Sequence, residues 1–277
     1  MEGPIRYFTL PMLLVMWGGV YWLWSSDLLI APLLIGIIGT HLICTIIFHR
    51  FMYAFNFGYA STMILLPLIY AAIYSPGFAA SVFLAVVILY GLRLGLFSWR
   101  RYMSESYAAR AQESIKATRA IPFPLVIVIW LFLSALMFFI TFNAWAVASR
   151  GNVNATIWLS TLVMLIGLSI EAIADRQKQD VKRIDKDTFC YIGLYKKIRH
   201  PNYLGEIIFH MGLYWGMVSS SGQIHALILG GLGTGWILAM MCSEAFVLDQ
   251  KQLERYGELE KFNEYRKTSG LLLPRLF

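Results

Sequence analysis

Charge is what this chain has least of. Asp, Glu, Lys and Arg make up 14% of its 277 residues and hydrophobic side chains 58%, where an average soluble chain carries about 25% charged and about 45–50% apolar residues. That balance excludes a water-soluble globule. Acid is scarcer still: residues 29–75 contain none, and residues 122–148 contain no ionisable group of either sign. The three cysteines, Cys44, Cys190 and Cys242, form no CxxC pair, so neither a disulfide framework nor a metal site is expected. No strand-like segment leads into the glycine-rich run GGLGTG, Gly230 to Gly235. Inside an apolar run those glycines predict close helix packing and not a dinucleotide fingerprint. The first apolar run has no small-residue cleavage site after it, and reads as a retained span, not a removed signal peptide.

What is present instead is a series of apolar runs of membrane length. A span needs about 20 apolar residues, and eight runs approach that: roughly 8–24, 29–48, 59–75, 78–97, 122–148, 156–174, 204–219 and 225–247. The third and seventh are short. The sequence therefore predicts an all-α, polytopic integral membrane bundle of seven or eight transmembrane helices, forming one membrane domain over 1–277. Of the 23 Lys and Arg residues, Arg93 lies inside the fourth run and Arg150 in the loop after the fifth. The others fall at the N-terminus, in the loops after runs two, four and six, or in the tail. With eight spans those segments share one side, which the excess of cations marks as cytoplasmic, both termini included. The net charge of +7 then belongs to one face. Such a face attracts anionic membrane lipid, or forms the mouth for an anionic cytosolic cofactor. Spread over membrane loops without a binding fold, it does not point to nucleic acid.

Polar groups at membrane depth carry the functional signal, because an ionised side chain at a helix centre costs roughly 2.5–3.5 kcal/mol on insertion scales. They concentrate in residues 171–206. Glu171, Asp175, Lys178 and Lys182 follow at i, i+4, i+7 and i+11, one helical stripe. Both acids precede any polar run, so they should face protein. Further on comes IRHPNYLGE, residues 198–206. Pro201 biases His200 away from helix and places the helix start near Asn202, with Arg199 and His200 just ahead of a first turn whose N–H groups attract anions. Glu206 and His210 follow Asn202 in steps of four, on one face.

Other polar residues fit less specific roles. Tyr90 and Arg93, three apart in the fourth run, share a helix face, and Phe97, Arg100 and Arg101 carry that strip towards water. His41 reads as a helix–helix hydrogen-bonder. Asn56 and Tyr59, at the start of the third run, can face a cavity. Residues 98–120 have charges at helical spacing and predict an interfacial helix. Glu244, near the end of the eighth run, is a further polar partner. The tail, which contains Tyr256 and Tyr265, is amphipathic and aromatic, and is expected to fold back over the cofactor mouth.

Three segments, YGLRLGLFSWRR, ADRQK and IRHPNYLGE, with a tail containing RYG, NEY and a late proline, together resemble the steroid 5α-reductase family. The resemblance covers roughly residues 78–277, with the spans of 1–77 matching weakly, and is closest to bacterial members. It implies NADPH bound in a cavity that cytoplasmic loops close over, in a monomer of the bacterial inner membrane. A steroid-like or isoprenoid substrate would enter sideways from the lipid. By the same resemblance Tyr90 polarises the substrate carbonyl, with Arg93 beside it. Arg93, Asp175, Lys182, Asn202 and Glu206 match cofactor-side positions, and His200 and Tyr203 belong to the same motif. Lys178 and Arg199, within the basic cluster of 176–199, can hold pyrophosphate, and Arg101, Tyr256 and Tyr265 are placed on the cofactor side as well. The family's Gln-Glu pair, whose glutamate supports the tyrosine, has no counterpart here, which leaves Tyr90 without its expected partner. The RHPxY-G segment and the tail are also similar to those of isoprenylcysteine and phospholipid methyltransferases, which use S-adenosylmethionine; there Arg199, His200 and Glu244 would lie near the cofactor.

Overall fold

A computed structural model describes residues 9–49, 53–103, 121–150, 155–185 and 187–275. Every apolar run becomes a helix: α1 Thr9–Ser25, α2 Ala31–Cys44, α3 Tyr59–Tyr74, α4 Phe78–Tyr102, α5 Phe123–Ser149, α6 Thr156–Ile184, α7 Pro201–Ser221 and α8 Ile224–Tyr256. A short ninth helix, α9, follows at Glu260–Thr268. Among the described residues the secondary structure is helical, apart from one isolated bridge between Ile198 and Gly270. The expected interfacial helix at 98–120 lies largely outside the described residues, although α4 does run on to Tyr102.

Six of these segments are long and apolar enough to cross a membrane, by length and composition. The sequence had suggested seven or eight. Two helices are not among the six: α1, described from Thr9 to Ser25, and α7, whose apolar run is broken by Asn202, Glu206, His210 and three terminal serines. These are the features of a multi-pass membrane protein.

The helix ends follow local chemistry. Proline occupies the first turn of α2 and of α5, where its missing N–H has no partner to lose. Pro201 likewise opens α7, one residue before the expected start. Ser75 closes α3 at φ +44, and Pro76-Gly77 then prevents continuation.

By internal packing the chain divides into two compact units. The first comprises the described parts of 162–212 and 235–277, the second 9–161 and 213–234. In the second unit α5 is the central helix, packed against α1, α2, α3 and α4. It is apolar all round, and from Phe132 to Ala148 nearly every residue is buried, as expected of a helix with no solvent or lipid face. Its neighbours approach closely at glycines. A Cβ at Gly233 would lie 2.5 Å from the backbone nitrogen of Ile140, and one at Gly230 would overlap the Asn143 side chain. The GGLGTG run is therefore a packing surface, as its setting predicted. His41 is held by packing too: its ring meets Trp17 and Trp130 edge-on, and Nδ1 lies 2.7 Å from the Ile37 carbonyl.

In the first unit α6 and α7 cross at two glycines. A Cβ at Gly167 would lie 2.5 Å from Phe209 N and 2.6 Å from Gly205 O, and one at Gly205 would lie 2.6 Å from Glu171 N. Only glycine permits that approach, which sets Gly167 and Glu171 of α6 directly against Gly205 and Phe209 of α7.

Candidate functional site

Both acids of the α6 stripe are inside, as their depth required: Glu171 is 5% and Asp175 8% exposed. Farther along α6, Lys178 and Lys182 are half-buried. Lys182 Nζ donates to the Thr188 carbonyl at 2.5 Å and lies 3.4 Å from Tyr256 Oη, which itself donates to the same carbonyl at 3.3 Å. Arg176 points away, and its contact with Asp180 at 4.0 Å is a surface pair of little energetic weight.

The segment 187–200 packs between these groups and the tail. Gln177 Oε1 accepts from Leu194 N at 2.9 Å, and Gly193 adopts φ +56 because its missing Cβ leaves the space that the Gln177 amide fills. Phe189, Tyr256, Phe262 and Tyr265 form an aromatic cluster, with Phe189 and Tyr265 stacked at 5.3 Å. Ala174, Cys190 and Tyr195 form a separate hydrophobic cluster. Burial pushes the Cys190 thiol and the Tyr195 and Tyr265 hydroxyls up, so all three stay protonated. Asp175, Tyr203 and Tyr265 all lie close enough to Tyr195 to add to its shift.

The tail folds back, as expected, and its target is the RHP segment. Arg199 N donates to Gly270 O at 2.8 Å, His200 N to Leu271 O at 3.1 Å, and Gly270 N to Lys197 O at 3.0 Å. Arg199 is fixed by this arrangement. Its Nε donates to Asp249 Oδ1 at 2.6 Å and its Nη1 to the Ser269 carbonyl at 2.5 Å, while Arg266 Nη2 reaches Asp249 Oδ2 at 2.8 Å. Asp249 is 3% exposed and answers two guanidinium groups. In the sequence Glu244, and not Asp249, is the expected polar partner near this end of α8. Asp249 gives the same signal as Asp175, an acid just after an apolar run.

His200 is 2% exposed and stacks on Tyr203, centroids 5.8 Å apart and planes at 12°. Burial lowers its pKa to about 4, helped by the nearby charges of Lys178 and Arg199 and opposed by Asp249, so the imidazole is neutral at physiological pH. Its Nε2 and the Tyr195 Oη are buried without a hydrogen-bond partner among the described residues. Two orphaned polar atoms in one nest are unusual in a native protein and call for an explanation. Asn202, half-buried, likewise has no side-chain partner among the described residues, and Tyr203 and Glu206 are half-buried beside it on α7. Asp175, Lys178, Lys182, Arg199, His200, Tyr203, Tyr256 and Tyr265 thus gather around one segment.

The second unit holds the remaining candidates. Tyr90 is fully buried, and its Oη lies 3.4 Å from Tyr59 Oη, with ring centroids 5.9 Å apart. A Cβ at the adjacent Gly91 would lie 2.8 Å from the Ala60 carbonyl, so the same tight crossing of α3 and α4 sets the two phenols together. Arg93 is half-buried with its guanidinium 5.3 Å above the Phe97 ring. Arg101 lines a small cavity of about 60 Å³ with Asn56, Tyr53 and Tyr102.

Residues 51–269 match the family described as protein of unknown function (DUF1295). The chain belongs to that family. The match begins ahead of α3, so it takes in Tyr59 as well as Tyr90, and it reaches through α9 to Ser269. No curated protein and no solved structure matches the chain significantly.

Proposed function

We propose that this DUF1295 protein is an NADPH-dependent membrane reductase. It would act on an activated C=C, an enone, of a steroid-like or other isoprenoid or lipid substrate, from the bacterial inner membrane with both termini in the cytoplasm. The reading builds on the resemblance to steroid 5α-reductases carried by YGLRLGLFSWRR, ADRQK and IRHPNYLGE. One observation supports it most: a fully buried phenol, Tyr90, on an apolar helix that has Arg93 one turn on and a second phenol, Tyr59, at 3.4 Å. A phenol in a dry site donates a hydrogen bond to an oxygen on which negative charge grows, and preorganised donors of this kind are usually the largest catalytic contribution.

The polar nest of the first unit suits the cofactor. NADPH presents phosphate oxygens, ribose hydroxyls and a carboxamide. Lys178 and Lys182 supply positive charge for the first. His200 Nε2, Tyr195 Oη and Asn202 are uncommitted hydrogen-bonding groups for the others. Asp175 and Glu206 accept, and Tyr203, Tyr256 and Tyr265 wall the site. When bound, NADPH supplies the hydride. The chain's own part is to orient it, exclude water, and hold the proton of Tyr90 at its Oη.

Purified protein in lipid should oxidise NADPH only when an enone lipid is added. Tyr90→Phe should cut that turnover by about 10²–10³-fold, and a full rate in this variant would remove Tyr90 from the chemistry. Thermal shift separates the methyltransferase alternative, since a ligand at 100 times its Kd adds about 2.7 kcal/mol. NADPH should raise the melting temperature, and S-adenosylmethionine should not.

A further inference from the structure

A cleft of about 700 Å³ opens at the C-terminal end of the first unit, lined by Arg199, Arg266, Lys267 and Arg275 together with Asn263 and Ser269. Its size falls within the range of about 300–1,000 Å³ usual for small-molecule sites. Four cations share it, and among the described residues the one carboxylate paired with any of them is Asp249, behind Arg199 and Arg266. Among the described residues Lys267 and Arg275 pair with no acid, and Arg266 Nε is buried without a partner. Four like charges gathered over one acid repel one another unless an anion lies between them.

The cations are held in place. The backbone bonds between 197–200 and 270–271 anchor the tail, and a Cβ at Gly270 would overlap the Leu273 carbonyl, so the 271–275 turn closes over that glycine. Arg275 Nη1 donates to the Lys267 carbonyl at 2.9 Å, which ties the last guanidinium to the end of α9. From these observations we infer that the cleft is a binding site for a phosphate group, either a free phosphate compound or the headgroup of an anionic phospholipid. Guanidinium forks match phosphate oxygens in pairs. The inference is independent of the reductase reading, and its test uses no pyridine nucleotide.

The full chain in phosphatidylcholine nanodiscs is titrated with inorganic pyrophosphate, with sodium chloride at equal ionic strength as control. In a second arm the nanodiscs contain phosphatidylglycerol and no free phosphate. Pyrophosphate should raise the melting temperature if the source is a free phosphate, phosphatidylglycerol if it is a headgroup. The K267A/R275A variant should need at least tenfold more of the effective probe while melting at the wild-type temperature without it. Should that variant melt lower on its own, the single charge reversal K267E takes its place, with the same tenfold weakening expected. The inference is overturned if neither probe shifts the wild type beyond the chloride control, or if the charge variants respond as the wild type does.

Discussion

Arg199 and Asp249, fifty residues apart, meet at 2.6 Å with side chains 11% and 5% exposed. Through this pair the end of α8, the RHP segment and the tail are fastened to one another, because Arg199 also binds the Ser269 carbonyl and Asp249 also binds Arg266. Removing one partner of a buried pair leaves an uncompensated charge and costs about 3–5 kcal/mol. Asp249→Asn should therefore lower the melting temperature markedly and expose the tail after Thr268 to protease. Lys267→Ala, at an exposed position, should do neither.

Gly205→Ala tests the α6–α7 crossing. The added methyl would lie 2.6 Å from Glu171 N and 2.8 Å from its Cβ, where backbone has no room to give. Overpacking of this kind costs about 1–3 kcal/mol. Thermal unfolding in detergent should show that loss for Gly205→Ala, and none for Gly235→Ala, where a Cβ meets nothing within 4 Å.

Tyr90→Phe should reduce enone-dependent NADPH oxidation by about 10²–10³-fold, the usual effect of deleting one oxyanion donor. The ring still fills its site against Tyr59, so the melting temperature should change little. A comparable fall in rate and stability would make Tyr90 a packing residue.

His200 gives the first unit a pH dependence. Its folded pKa of about 4 lies below the ordinary 6.5, so the unfolded chain binds a proton that the folded one refuses. The folded state keeps this contribution in full above pH 6.5 and loses it as pH falls from 6.5 towards 4, by roughly 3 kcal/mol in all. Wild-type protein should melt lower at pH 4.5 than at pH 7, and His200→Asn should flatten that difference. An unchanged pH profile in the variant would place the acid sensitivity elsewhere.

The sequence placed the helices well, since each apolar run became a helix beginning within a few residues of its predicted start. Its count of seven or eight spans compares with six among the described residues, and α7 is not one of the six because Asn202, Glu206 and His210 dilute its hydropathy. Depth also predicted burial correctly for Glu171 and Asp175. Asp249, just after the eighth run, carries the same mark as Asp175, but nothing in that run reveals its two arginine partners. Tyr59 as the neighbour of Tyr90 was not legible, since nothing in the spacing of two helices says which faces meet.

Periodicity and hydropathy are properties of neighbouring residues, and from them the sequence alone determined an all-helical membrane chain with its polar groups gathered late in the fold. The tertiary structure alone decided which distant residues meet: Arg199 with Asp249, the tail with residues 197–200, and Tyr90 with Tyr59. Those meetings depend on how closely two helices approach and at which turn. Glycines such as Gly167, Gly205 and Gly91 set that approach, and a glycine in an apolar run reveals that something comes close without revealing what.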